Sequence, residues 1–180
     1  MIKIKREKGP GYARLEKASK DLEGLTGRIG YFSSARYEDG TPVATVAAIQ
    51  EYGAPSKGIP ARPTMRPAII KNQKQWANLF SAGAKAIMAG NETARSVMTK
   101  VASVAAGNVR EEIAALYSPP LKPSTILARM RKAGISKSRR RRFSEGKSTE
   151  QDNKAIGNLT KPLVETRTMI TSVTYEVVEE

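Results

Sequence analysis

The chain has 180 residues and a formal net charge of +14, from 31 Lys+Arg against 17 Asp+Glu. It contains no Cys and no His, which excludes thiol nucleophiles, disulfides, Cys/His zinc sites and every His general base, and leaves carboxylate-bound Mg²⁺ or Ca²⁺ as the open metal chemistry. Apolar residues make up 39%, below the usual share for a compact domain, so part of the chain is expected to be extended or ordered by partners.

The start, Ile2 to Lys5, alternates like a short strand. It lacks the apolar run of a secretion signal, and no segment reaches the roughly 20 apolar residues of a membrane span. Tyr12, Leu15, Ala18, Ser19 and Leu22 recur at helical spacing and predict an amphipathic helix stopped at Gly24. Leu25 to Phe32 reads as a strand. Ser33 to Pro42 reads as a loop turning at Asp39-Gly40. Val43 to Tyr52 predicts a short helix ending at Gly53.

From Ala68 to about Gly90, Ile69, Trp76, Phe80, Gly83 and Ile87 share one helical face. A second long helix is expected from about Glu92 to Tyr117, capped by Asn91, with Ala94, Val97, Met98, Val101, Ala105, Val109, Ile113 and Leu116 as its stripe. Ser118-Pro119-Pro120 breaks it. Ser124 to Ala133 predicts a short basic helix, and Gly134 to Asn158 a long polar loop or disordered arm. Leu163 to Met169 suggests a helical turn, and Thr171 to Glu179 is the clearest strand.

These elements predict an α+β fold: a small mixed or antiparallel sheet with two long helices packed on it, plus an extended basic arm. Residues 1–121 with 159–180 are expected to form one body. Residues 122–158 are expected to be a basic, partly extended arm inserted before the C-terminal strand.

Two stretches concentrate the informative residues. In the first, Pro60, Pro63 and Pro67 stiffen the backbone around Arg62 and Arg66, because each proline fixes its own φ and biases the preceding residue towards extended geometry. This predicts a rigid presenter of the two arginines; a pairing of Glu51 with Arg62 or Arg66 would pin it back on the body, while composition alone favours a rigid connector whose arginines are simply solvated. The second runs from Lys122 to Lys147. It holds ten basic residues, among them Arg139, Arg140, Arg141 and Arg142 in one run, against a single acid, Glu145. DNA phosphates, an acidic protein surface and plain solvent are each compatible with it, with the protein surface favoured over the other two. Phe143 is its one aromatic, a poor platform for stacking single-stranded bases. The carboxylates of the body show no metal or hydrolase spacing.

Ala48-Ile-Gln-Glu-Tyr-Gly53 followed by Ile59-Pro-Ala-Arg-Pro-Thr-Met-Arg-Pro-Ala68 resembles the signature of tailed-phage neck and tail-completion (head–tail joining) proteins. That family runs Asn/Gln-Glu-Phe/Tyr-Gly, then Pro-Pro/Ala-Arg-Pro-Phe-hydrophobic-Arg-Pro-Ala. Gly27 to Phe32 and Tyr37 to Val43 resemble its opening strand and loop. Leu121 to Thr125, Lys161 to Met169 and Ser172 to Val177 resemble its closing pattern. Thr64 stands where Phe is usual, and Arg167 where Gly is usual. The resemblance implies a non-enzymatic virion protein without cofactors. Its partners would be itself, in a ring of six-fold symmetry, and the adjacent neck or tail proteins, with packaged DNA as a further contact and no membrane. It would reside in the virion, and in the host cytoplasm during assembly. A basic nucleic-acid-binding accessory protein is the alternative. Arg62, Arg66 and Arg139 to Arg142 are the expected partner-binding residues.

Overall fold

The computed structural model describes residues 9–162 and 167–179. The expected strand at Ile2 to Lys5, and Leu163 to Thr166 of the expected turn, lie outside the described residues. The described residues are mostly helical with a small two-stranded antiparallel sheet, an α+β composition. Helices α1 (Pro10–Glu23), α2 (Val43–Tyr52), α3 (Met65–Met88), α4 (Ala94–Ala115), α5 (Pro123–Lys132), α6 (Lys137–Ser144), α7 (Glu150–Ile156) and α8 (Thr168–Ser172) accompany strands β1 (Leu25–Tyr31) and β2 (Val173–Glu179). They fall into two compact units. The first is drawn from Met1–Gly30, Ala68–Asn108 and Thr174–Glu180, the second from Tyr31–Pro67 and Val109–Val173.

In the first unit, the buried apolar side chains are small: Ala18, Ala68, Ala94, Val97, Ala102, Ala105 and Ala106. Small residues let backbones approach closely. A Cβ on Gly83 would collide with Val97, and one on Gly27 of β1 would press on Met98 at 3.1 Å. Trp76 is half-buried, and its indole N–H donates to Asn108 Oδ1 at 2.9 Å. Arg95 ties α4 to β2 through Val177 O and Glu179. The start of α4 differs from expectation. Asn91 does not cap it; Thr93 Oγ1 accepts the Ser96 N–H. Asn91 instead closes α3, its N–H reaching Ala86 O past Gly90 at φ 80°, the Schellman geometry that glycine favours.

In the second unit, Val43, Val109, Ile113, Met169 and Val173 are buried, and α2 packs on α8. The polar stretch after Gly134 is not a loop. It forms α6 and α7, and with α5 they carry their own apolar cluster: Ile126, Met130 and Ile156, surrounded by Leu121, Leu127, Ile135, Phe143 and Leu159. Closures at the C-ends of α5 and α6 and at the N-end of α7 support the three short helices around this cluster. Gly134 and Gly146 take positive φ, and the 6→1 bonds Ile135 N–H to Met130 O and Lys147 N–H to Arg142 O close α5 and α6. Thr149 and Asp152 form a reciprocal capping box on α7. Arg167 adopts φ 57°, ψ −7°, so the left-handed turn that glycine usually makes is made here by an arginine.

Candidate functional site

The Pro-rich stretch is built around the Glu51 carboxylate. Glu51 sits at the end of α2 and is 7% exposed. Its two oxygens accept the backbone N–H groups of Thr64 (2.6 Å), Met65 (3.0 Å) and Arg66 (3.1 Å). These are donors at the start of α3 that have no intrahelical acceptor, and a carboxylate there also meets the positive end of the helix dipole. Arg66 Nε adds an ion pair to Glu51 Oε1 at 3.0 Å, and its Nη2 donates to Glu51 O at 2.7 Å. Burial by itself would raise the Glu51 carboxyl. The bonds from Thr64, Arg66 and Met65 N–H and from the Arg66 side chain outweigh it, and the group lies below its ordinary value.

The chain can fold back on α2 because Gly53 takes φ 75° against the returning strand, where a Cβ would lie 2.8 Å from Ala61 N. Ala54 and Ile59 pair across the tip, and Arg62 N–H donates to Gln50 O at 2.6 Å.

Arg62 is turned inwards, not outwards. It is 5% exposed and donates to Pro119 O at 2.9 Å, Pro120 O at 3.0 Å and Gln50 Oε1 at 3.4 Å. Burial, then the charge of Arg129, pulls its guanidinium below its ordinary value. The carbonyls exposed where Ser118-Pro119-Pro120 interrupts the chain provide the acceptors such a buried guanidinium needs. The residue that pins Glu51 is therefore Arg66, and Arg62 is a cross-brace within the second unit. Arg66 stays half-exposed and lies over the Tyr52 ring at 5.2 Å. Tyr52 is 71% exposed. Pro60 is exposed, Pro63 and Pro67 are half-buried, and Pro67 falls in the first turn of α3, where a missing N–H is tolerated. Thr64 is buried.

A second carboxylate organises the basic segment. Asp152 is 1% exposed and receives Arg142 bidentately, both bonds at 2.7 Å, with Arg139 Nε at 3.3 Å. The Arg142 bonds, against burial and with help from Thr149, hold its carboxyl well below the usual carboxylate range. Arg141 pairs with the surface acid Glu145. Arg129 donates to Leu159 O and Lys161 O. The run Arg139 to Arg142 is thus divided: Arg139 and Arg142 pair with Asp152, Arg141 pairs with Glu145, and the half-buried Arg140 has no carboxylate partner among the described residues. Asp152 is missing from the residues that the sequence singles out, although Thr149-Glu-Gln-Asp152 is a readable capping box.

Among the described residues no group of three or more Asp or Glu side chains could hold a metal ion, and no helix is long and apolar enough to cross a membrane. No protein-family model, curated protein or solved structure matches the chain.

Proposed function

We propose that this chain is a structural subunit of a tailed-phage virion. It forms an oligomeric ring at the head–tail junction or the end of the tail tube, in a neck, tail-completion or tail-terminator role, and joins neighbouring rings during assembly. The observation that carries the reading is the Glu51 clamp. Among residues shared with the neck and tail-completion pattern, Glu51 bonds Arg66, Gln50 bonds Arg62, and Gly53 makes the chain reversal from which both pairs follow. A pattern whose members depend on one another in this way is a coherent structural device, which strengthens the resemblance. Its outward face, Tyr52 under Arg66, has the composition of an interface anchor. Tyr12 and Leu15 on the predicted apolar face of α1 are also about half-exposed, surface that a subunit would cover with a neighbour.

At +14 the subunits repel one another at low salt, so the purified chain is expected to be largely monomeric and to close into a ring on its partners. The test is assembly without it. A phage deleted for this gene should accumulate unjoined heads and tails or defective tail ends, and the wild-type chain should restore joining while Tyr52→Ala does not. Joined, infectious particles that lack the chain would sink the reading.

A further inference from the structure

We propose that the outward face of the α5–α6 pair binds duplex nucleic acid through its phosphate backbone. Residues 121–162 hold twelve Lys+Arg against three Asp+Glu, so this quarter of the chain carries +9 of the total +14. The three helices have their own apolar cluster and caps, so these cations stand on an ordered scaffold and not on a loose arm.

Helical geometry then sorts them. On α6, Arg139, Arg142 and Phe143 lie on one face, directed to Asp152 and to the apolar cluster. Lys137, Arg140 and Arg141 lie on the opposite face, three and four residues apart. The four-residue turn 133–136 brings the exposed Arg131 and Lys132 at the end of α5 up to Lys137 at the start of α6. Arg131, Lys132, Lys137 and Arg140 have no carboxylate partner among the described residues.

The identity of the polyanion follows from what the face lacks. A protein interface of useful affinity needs apolar or aromatic anchors. None of the chain's exposed large apolar residues falls within 121–162. Single-stranded nucleic acid needs aromatic rings for stacking, and Phe143 is packed against the apolar cluster. Among the cations the exposed Ser136 and Ser138 flank Lys137, their hydroxyls 3.2 Å from one another, small hydroxyls of the kind that donate to phosphate oxygens. Cations with hydroxyls and no apolar anchor suit a duplex backbone read without sequence preference. The inference concerns this face alone and stands whether or not the chain builds a ring.

The test is anisotropy of the full chain with a labelled 20-base-pair duplex across a NaCl series. Neutralising about five phosphates gives a log–log slope of about −4.5, and replacing Arg131, Lys132, Lys137 and Arg140 by Ala should flatten it by about 3–4. A control replacing Lys17, Lys20, Lys74 and Lys85 by Ala removes the same charge from the first unit and should leave the slope within about one of the wild type. Circular dichroism confirms that both variants stay folded. Equal losses in the two variants would reduce the effect to net charge and overturn the proposal. So would polyglutamate of matched charge competing as well as unlabelled duplex, which would assign the face to an acidic protein.

Discussion

Glu51 and Asp152 are both buried carboxylates beside arginines, yet they organise their surroundings differently. Glu51 is satisfied chiefly by backbone, three N–H groups at the start of α3, with Arg66 closing the outer side. Asp152 is satisfied chiefly by side chains, Arg142 and Arg139 of the neighbouring helix, with Thr149 N–H beneath. The first arrangement fixes where a chain reversal occurs. The second fixes how two helices dock. In the Glu51 region both arginines are engaged: Arg66 in the clamp, Arg62 with the Pro119 and Pro120 carbonyls. Around Asp152 the cations outnumber the acids, so some are left for solvent or a ligand. A cluster of arginines is therefore read best by counting the buried acceptors beside it.

The sharpest way to separate the two regions is to damage one and watch the other. Met130→Ala removes the fully buried centre of the α5–α7 cluster, a deletion that typically costs about 2–5 kcal/mol. Hydrogen exchange should show amide protection lost across α5 to α7 and retained at the start of α3. Equal loss in both places would mean that the regions unfold as one.

Glu51→Ala leaves three backbone N–H groups and Arg66 Nε without their acceptor and is expected to cost about 2–4 kcal/mol in urea unfolding. Glu51→Gln keeps an acceptor oxygen and should recover part of that.

Acid distinguishes the two carboxylates without mutation. Both folded-state values are depressed, so each contributes stability that is present above its ordinary value and lost as pH falls through the folded one. For Glu51 the loss begins below the ordinary 4.5. Asp152 is held further down, so protection at the start of α3 should fail at a higher pH than protection in α6 and α7. The reverse order in an NMR acid titration would contradict the assigned hydrogen bonds.

The smallest effect is at Arg167. A non-glycine residue in the left-handed region carries about 1–2 kcal/mol of strain, and glycine offsets part of the relief through its greater unfolded-state entropy. Arg167→Gly should raise the urea midpoint by the equivalent of about 1 kcal/mol or less.

Local pattern determined much of this molecule. Helices α2, α3, α4 and α5 and strand β2 follow from apolar periodicity, β-branched composition and the stops at Gly53 and Pro119-Pro120, all read within a few residues of the observed ends. The α+β class follows from them. Gly134, Gly146 and the Thr149 to Asp152 box are helix-end signals present in the sequence, but the expectation of a loop there rests on low apolar content alone. Tertiary structure alone decided the rest. That α6 and α7 form within 134–158 depends on Phe143, Ile156 and Leu159 meeting Ile126 and Met130 from another helix, and no short window along the chain contains that cluster. That Arg62 points inward depends on two carbonyls 57 and 58 residues away. Sequence shows that an arginine is present; only the fold shows which acceptors surround it, and the desolvation of those acceptors determines whether the charge braces the protein or remains free to bind something else.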